Sequence, residues 1–185
     1  MTISAGAAER PRPLPFQDAR ECPPAALLPL FERLDAMRTG MTIDGLRAAL
    51  TAVPLTRADL GSAIMIDTGA YVRTLVRQTA DYQVLVMAWL PGQRSPIHDH
   101  RGSACAVRVV AGRGWEQVYE EAGDGLARPT TARAYPPGEV ACSVDADIHS
   151  FGNAAAAPAS PDEILVTVHV YAPPLAPTRK YQLAT

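Results

Sequence analysis

Two of the four histidines in the chain are separated by a single residue, in the segment His98-Asp99-His100. Residues i and i+2 of a β-strand point to the same face, so both imidazoles can reach one point inside a barrel. A third histidine, His149, lies near the start of a later predicted strand. Imidazole binds Fe, Zn, Cu and Ni alike, so the pattern indicates a metal site without identifying the metal.

The residues around these histidines have the spacing of two motifs that are typical of cupins. The members of the first motif are Gly92, His98, His100, Cys105 and Gly112, and the gaps between successive members are five, one, four and six residues. The second motif has its usual spacing, with Gly138, His149 and Asn153 at their expected positions. Its usual proline and glycine are replaced by Val144 and Ala146. The chain therefore resembles the cupins over about residues 90–155.

Cys105 occupies the position at which most cupins carry a glutamate ligand. Without that carboxylate, three neutral imidazoles would leave the charge of a divalent metal uncompensated. Such a site favours an anionic substrate ligand, and a thiolate is the soft, strongly coordinating choice.

Four further segments resemble the cysteine dioxygenase family, and together they span roughly residues 70–175. They are Tyr71-Val72-Arg73, Ile97-His98-Asp99-His100, Ser103-Ala104-Cys105 and His169-Val170-Tyr171-Ala172-Pro173-Pro174. Members of this family use ferrous iron and dioxygen to convert a thiol into a sulfinic acid. The resemblance implies the same activity here, with L-cysteine and O2 as substrates and one Fe(II) per chain held by His98, His100 and His149.

The resemblance also implies roles for residues beside the metal. Cys105 and Tyr171 are expected to lie side by side, where animal members form a thioether crosslink, and the formation of that crosslink here is an open question. His169 is expected to hydrogen-bond the Tyr171 hydroxyl. Thr167 stands where a serine is usual and keeps the hydroxyl. The Ala172–Pro173 bond corresponds to one that is cis in family members.

Substrate binding is expected at Arg73, Tyr71 and Thr167, and also at Arg101 if its side chain turns inward. The resemblance implies that Arg73 clamps the substrate carboxylate and that Tyr71 lines the same pocket. Their i, i+2 spacing on a predicted strand agrees with this, because both side chains can face one cavity. Arginine is suited to bidentate recognition of a carboxylate. The residues 167, 169 and 171 likewise form a polar stripe on a strand whose inner face should be apolar.

Two alternatives keep the chemistry and change the thiol. The mercaptopropionate branch of the family commonly carries glutamine at the position of Arg73, so Arg73 favours cysteine over 3-mercaptopropionate. Arg101 directly follows the His-Asp-His segment. If its side chain turns inward, a second cation would lie near the metal, and a dicarboxylate such as mercaptosuccinate would fit; solvent exposure is the more common fate of an arginine.

A third alternative belongs to a different class: a non-oxidative metal-binding cupin that acts as an isomerase or a ligand-binding module. Zinc or nickel at the site, with no oxygen uptake on any thiol, would favour it. This alternative leaves the Tyr71/Arg73 pair and the polar stripe unexplained.

The predicted secondary structure divides the chain into an N-terminal arm and one domain that positions these residues. Residues 1–23 are rich in proline and alanine without periodicity and are predicted to form a flexible N-terminal arm. Residues 24–185 are predicted to form a single, mainly β cupin domain, a small antiparallel barrel or jelly roll with a helical N-terminal segment. Helical spacing runs over 24–66, in patterns at 23–38, from Thr42, and at 56–62, where Thr56 and Asp59 form a loose capping box.

Short strands with turn signals between them are predicted over residues 67–185. They cover Tyr71–Val76, Gln83–Leu90, Ala104–Ala111, Trp115–Glu120, Ala132–Tyr135, Glu139–Cys142 and Ile164–Tyr171. This plan places the histidines and the polar stripe on the barrel part of the chain.

Composition narrows the class of protein. The formal net charge of the 185 residues is −2 without a block of like charge, which argues against binding to nucleic acid or to a membrane surface. Three scattered cysteines fit a reducing cytosol better than a disulfide framework. We therefore expect a cytoplasmic protein, acting as a monomer, whose partners are a small thiol and O2.

Overall fold

The structure is a computed structural model that describes residues 14–37, 40–144, 146–155 and 163–184. Within these residues, two β-sheets face each other, and short helices cover the outer face of the larger sheet. The mainly β architecture with an N-terminal helical segment agrees with the prediction.

The helices form where the spacing of apolar residues predicts them. A 3₁₀ turn, Ala25–Leu27, leads into α1, Leu28–Met37, and two further helices follow, α2 at Ile43–Ala52 and α3 at Arg57–Leu60. Thr42 caps α2 by accepting a hydrogen bond from the amide of Gly45, and Thr56 and Asp59 form the capping box of α3. A second 3₁₀ turn, Gly61–Ala63, ends the helical segment.

The first sheet contains six strands in the described part of the chain. In spatial order they are β1 (Phe16–Asp18), β2 (Val72–Gln78), β3 (Gln83–Trp89), β10 (Leu165–Ala172), β5 (Ala104–Ala111) and β8 (Val140–Val144). All neighbouring pairs are antiparallel except β1 and β2, which are parallel. β10 is a central strand, and all eight of its residues are buried.

The second sheet contains five described strands that close on themselves. In order they are β11 (Lys180–Leu183), β4 (Ile97–His98), β9 (Ile148–Asn153), β6 (Gly114–Gly123) and β7 (Leu126–Tyr135), and β11 also pairs with β7. Two of these strands provide metal-ligand candidates, because His98 on β4 lies directly opposite His149 on β9.

Four strands fall outside the predicted strand ranges, namely β1, β4, β9 and β11, although a strand start was expected near His149. β4 has two residues, and β9 carries His, Ser and Asn at positions that are buried, so neither shows the alternation of a half-exposed strand. β1 lies in the arm predicted over 1–23, where it adds to the edge of β2. Residues 1–13 of that arm lie outside the described residues.

The two faces of the first sheet have different neighbours. Val166, Val168 and Val170 of β10 pack on the helices, in a cluster with leucines that are 0% exposed, including Leu30 and Leu50. Burying one such leucine side chain stabilises the fold by about 1.5–3 kcal/mol. The alternate residues of β10 therefore face the second sheet, which orients the polar stripe inward.

Gly112, the last member of the first motif, is required by the backbone. Its φ is +76°, and a Cβ at this position would lie 2.6 Å from the carbonyl oxygen of Ile164. A side chain would push β5 away from the segment that leads into β10. Within the described residues, no helix is long and apolar enough to cross a bilayer.

Candidate metal centre

Three histidines converge on one point between the sheets. One ligand atom from each of His98, His100 and His149 lies within 4.8 Å of the others, and the ring centroids are 4.8–5.2 Å apart. β4 ends at His98, so His100 lies beyond the strand rather than on it. The i, i+2 argument therefore explains the convergence only in part; the pairing of His98 with His149 across β4 and β9 supplies the rest.

The Nδ1 atom of each ring is occupied by a hydrogen bond. His98 Nδ1 lies 2.9 Å from the carbonyl oxygen of Pro96, and His149 Nδ1 lies 2.6 Å from Glu116 Oε1. A carbonyl oxygen and an ionised carboxylate only accept, so these two rings carry their hydrogen on Nδ1 and a lone pair on Nε2. His100 Nδ1 lies 3.2 Å from Ser143 Oγ, and His100 Nε2 is buried without a hydrogen-bond partner in the described residues.

This arrangement fits a metal ion. Ligating histidines usually donate their other N–H to a carboxylate or a carbonyl, which sets the orientation of the ring. Burial, reinforced by the neighbouring His149, lowers the pKa of His98 to about 4 and that of His100 to about 2. Both rings are therefore neutral near pH 7, which is the form that binds a metal.

Glu116 was not singled out from the sequence. Its carboxylate accepts from His149 through one oxygen and from the hydroxyl of Tyr135, at 2.7 Å, through the other. Burial alone would raise the pKa of Glu116, but the hydrogen bonds that it accepts from His149 and Tyr135, together with the positive charge of Arg133, outweigh burial, and the net pKa is lowered. The one signal available in the sequence was an acidic residue within a predicted strand.

The position of Glu116 corrects the expected charge balance. The ligand set is free of carboxylate, as the Cys105 replacement predicts. An ionised carboxylate nevertheless lies directly behind His149, so the charge of a bound divalent metal is partly compensated through the imidazole. Because β6 pairs with β9, this contact depends on sheet register rather than on any local motif.

The histidines open into a cavity of about 640 Å³ between the sheets. The polar residues that line it include Tyr71, Arg73, Gln83, His98, His100, Cys105, His149, His169, Tyr171 and Lys180. Apolar side chains form much of the remaining wall, among them Leu75, Leu85, Met87 and Val107. The cavity therefore combines a polar group of potential ligands with largely apolar walls.

A chain of hydrogen bonds runs from Trp89 through Thr167 and His169 to Tyr171. Trp89 Nε1 donates to Thr167 Oγ1 at 3.0 Å, Thr167 Oγ1 lies 2.9 Å from His169 Nε2, and His169 Nδ1 lies 3.2 Å from Tyr171 Oη. Thr167 is 0% exposed, and among the described residues its hydroxyl hydrogen finds its acceptor in His169. His169 then carries its hydrogen on Nδ1 and donates to Tyr171.

This direction has a consequence for the Tyr171 hydroxyl. Burial lowers the pKa of His169 to about 3, so the ring is neutral and has one N–H to give. Burial also raises the pKa of Tyr171 well above its ordinary value, which keeps the phenol protonated. With His169 as donor, the O–H of Tyr171 is directed away from the stripe, towards Cys105 and the cavity.

Thr167 does not line the cavity, in contrast to its predicted role in substrate binding. It lies behind His169 because Trp89 fills the space beyond it, and its hydroxyl orients the imidazole instead. The predicted contact between His169 and Tyr171 is present.

Cys105 and Tyr171 are direct neighbours across β5 and β10, and Ser143 on β8 flanks Cys105 on its other side. Burial raises the pKa of the Cys105 thiol far above its usual range, so the thiol is protonated. The side-by-side arrangement agrees with the expectation, and the crosslink itself stays a prediction. The Ala172–Pro173 bond that follows is cis.

Arg73 and Tyr71 both line the cavity, as their spacing predicts. Tyr71 stacks on Trp89 with ring centroids 4.1 Å apart. The Nε atom of Arg73 is buried and has no hydrogen-bond partner among the described residues. A buried N–H without an acceptor is costly, and an anion bound to the guanidinium would remove that cost.

Arg101 is not part of the cavity. It is exposed in a turn with φ +46° and is followed by Gly102 at φ +92°, so the chain turns outward directly after His100. Of the two orientations that the sequence left open, the structure shows the one that faces solvent. Lys180, on a strand that the sequence did not predict, lines the cavity instead.

Comparison with solved structures finds a double-stranded β-helix fold among the similar proteins. A protein with a double-stranded β-helix domain from Klebsiella pneumoniae is similar at a TM-score of 0.52 and 22% identity, over 71% of this chain and 93% of that one. An RmlC-like cupin from Desulfovibrio desulfuricans is similar at a TM-score of 0.46 and 19% identity, over 65% and 99%. A model of the family described as cysteine dioxygenase type I matches residues 58–184.

Proposed function

Because the chain belongs to the cysteine dioxygenase type I family, we propose that it is an iron-dependent dioxygenase that converts L-cysteine and O2 into cysteine sulfinic acid. The single observation that carries the substrate proposal is Arg73. Its unpaired, buried Nε and the three-histidine group belong to the wall of the same cavity. A small thiol that also carries a carboxylate satisfies both at once.

His98, His100 and His149 would hold the metal through Nε2. Ferrous iron bound there supplies the redox chemistry by which dioxygen reacts with a thiolate. In the overall reaction, one thiol and one O2 give one sulfinate and one proton, with both oxygen atoms transferred to sulfur. The remaining roles belong to the side chains around the metal.

Arg73 orients the substrate in this proposal. Its guanidinium donates to the carboxylate of the thiol acid, which limits the directions in which the sulfur can point. Tyr71, held flat on Trp89, forms the adjoining wall. The apolar side chains of Leu75, Leu85 and Met87 exclude water, and this strengthens the interaction between Arg73 and the carboxylate.

Tyr171 is the proposed donor to the reacting atoms. The phenol is protonated, and the hydrogen bond that His169 donates leaves the O–H of Tyr171 directed towards Cys105 and the cavity. It can then donate to an oxygen that carries negative charge during transfer to sulfur. Cys105 lies next to it with a protonated thiol, and this position limits the rotation of the phenol.

The substrate amine has no acidic partner here, because none of the described residues that line the cavity is Asp or Glu. An ion pair with the wall therefore does not distinguish cysteine from 3-mercaptopropionate, which lacks the amine. 3-Mercaptopropionate, which keeps the thiol and the carboxylate, is therefore the second candidate substrate.

Oxygen consumption tests the proposal. Purified protein loaded with Fe(II) is assayed in an oxygen electrode against cysteine, 3-mercaptopropionate and cysteamine, and the products are identified by mass spectrometry. We expect oxidation of the two thiols that carry a carboxylate and little oxidation of cysteamine, which lacks one. Zinc or nickel in the isolated protein, and no uptake with any thiol after iron loading, would instead support the non-oxidative cupin.

Two variants separate the metal site from the carboxylate site. His98→Ala should abolish both iron retention and thiol-dependent oxygen uptake. Arg73→Gln should retain iron and raise the KM for cysteine by about tenfold or more, since a hydrogen bond to a charged group contributes about 1.5–3 kcal/mol. Arg128→Gln removes an exposed arginine far from the cavity wall and serves as the control. An unchanged KM in Arg73→Gln would contradict the substrate proposal.

A further inference from the structure

Lys180 lies beside the metal centre through strand register. On β11 it is paired directly with His98 on β4, and His98 is in turn paired with His149 on β9. Side chains of directly opposed residues lie on the same face of a sheet, with Cβ atoms about 4.5–5.5 Å apart. Lys180 therefore shares the face of the two histidines, in agreement with its place in the cavity wall.

The next residue along β11 points the other way. Tyr181 is buried, and its hydroxyl donates to Asp99 Oδ2 at 3.1 Å. Because neighbouring residues of a strand alternate between faces, this contact holds Lys180 on the cavity side. The amide of Arg179 donates to Asp99 Oδ1 at 3.0 Å, which fixes the start of the same strand.

The charges around Lys180 leave it without an acidic partner in the described part of the chain. The side chain of Arg179, its neighbour, pairs with Glu121 at 2.9 Å, whereas Lys180 forms no ion pair there. The two nearby carboxylates are engaged elsewhere, Asp99 with Tyr181 and Glu116 with His149. The cavity wall thus carries two cations, Arg73 and Lys180, and no acidic side chain among its described residues.

The cavity is also larger than a three-carbon thiol acid requires. Its volume of about 640 Å³ lies within the range of roughly 300–1,000 Å³ found for pockets that enclose drug-sized ligands. A cysteine held by Arg73 with its sulfur at the histidines would not reach every part of this space. Room therefore remains for a further group next to His98.

From these observations we infer that Lys180 is a specificity-determining residue that binds a second anionic group of the substrate. The cavity then accepts thiol acids with two carboxylates in addition to cysteine, with one carboxylate on Arg73 and the other on Lys180. This inference rests on the proposed function, because Arg73 holds the first carboxylate in both cases. Lys180 is thus the second cation near the metal centre, the role that the sequence analysis considered for Arg101.

Steady-state oxygen uptake with mercaptosuccinate and with cysteine tests this role. The iron-loaded wild type is compared with Lys180→Gln and with Arg101→Gln, a matched loss of one positive charge outside the cavity. We expect the wild type to oxidise both thiols. Lys180→Gln should raise the KM for mercaptosuccinate about fivefold, the ratio that corresponds to an ion pair of about 1 kcal/mol.

The other kinetic constants make the test specific. Lys180→Gln should leave kcat for mercaptosuccinate and both constants for cysteine within about twofold, and Arg101→Gln should change neither substrate beyond that margin. The inference is overturned if the wild type oxidises cysteine but not mercaptosuccinate, or if Lys180→Gln raises the KM of both thiols equally. It is also overturned if Arg101→Gln produces the selective effect.

A binding measurement separates this inference from the proposed function. Succinate and propionate, which carry no thiol, are titrated into the iron-loaded protein by calorimetry. Lys180→Gln should weaken the binding of succinate about fivefold and the binding of propionate by less than about twofold. Absence of oxygen uptake with every thiol would defeat the proposed function, whereas equal succinate affinity in wild type and variant would defeat the role of Lys180.

Discussion

Glu116 Oε1 lies 2.6 Å from His149 Nδ1, and the second oxygen of the same carboxylate accepts a hydrogen bond from Tyr135. The carboxylate that most cupins place on the metal is absent from the ligand set, yet a negative charge is present one imidazole away. Glu116 sets the tautomer and the orientation of His149, and Tyr135 holds Glu116 in place.

Removing this charge should weaken metal binding. We expect Glu116→Gln to reduce the affinity for Fe(II) or Co(II) by about 10- to 100-fold, the usual effect of losing such a partner. Competition with a metal-binding dye measures it, and the absorption spectrum of the Co(II) form should shift because His149 becomes a weaker donor. Glu120→Gln, which removes an exposed carboxylate on the same strand, is the control. Equal affinities in both variants would show that Glu116 does not act on the metal site.

Thr167 should act through His169. In Thr167→Val, the buried N–H of Trp89 loses its acceptor and His169 loses its donor, so we expect a loss of stability of about 1–3 kcal/mol. The kcat for cysteine should fall while its KM changes little, because Tyr171 loses its orientation and Arg73 does not. Thr167→Ser keeps the hydroxyl and should restore both stability and kcat. Failure of the serine variant to restore kcat would show that the methyl group, not the hydroxyl, matters.

The pairing of Cys105 with Tyr171 allows a direct test of the crosslink. Thioether formation would join the sulfur to a carbon of the phenol ring and remove one hydrogen from each, with O2 as the oxidant that accepts the two electrons and two protons. After iron-dependent turnover, we expect a faster-migrating band on a denaturing gel and a mass lower by two hydrogens, both absent in Cys105→Ala. Cys142→Ala, a half-buried cysteine outside the cavity wall, should retain both signals. Their absence from the wild type would show that the pair stays unlinked.

The buried histidine of the polar stripe should make stability depend on pH. His169 has a pKa of about 3 in the folded protein, lowered by burial, against 6.5 for an ordinary histidine. Between these values the unfolded chain binds a proton that the folded chain does not, so stability falls as pH falls below about 6.5. One such group contributes at most about 1.4 kcal/mol per pH unit.

Urea unfolding of the metal-free protein at pH 7, 6 and 5 measures this dependence. His169→Gln should have a shallower slope than the wild type, although His98 and His100, whose pKa values are also lowered, still contribute. Identical slopes in the two proteins would show that His169 is not protected from protonation in the folded state.

The sequence alone determined the parts of this protein that depend on local spacing. A strand alternates faces every two residues, so Tyr71 with Arg73 and His169 with Tyr171 were predictable as pairs that share a cavity. The helices were predictable for a similar reason, since a 3.6-residue period and two threonine caps are read from neighbouring positions. The His-x-His pair and His149 could be identified because their spacing resembles that of known motifs.

Only the tertiary structure decided which distant side chains meet. Glu116 reaches His149 through the register of β6 against β9, and Lys180 reaches His98 through the pairing of β11 with β4. Register depends on long-range hydrogen bonds and packing, and a shift of one residue reverses every side chain of a strand. Arg101 likewise lies in a turn after His100 and is exposed to solvent. These contacts join parts of the chain far apart in sequence, so no local pattern could predict them.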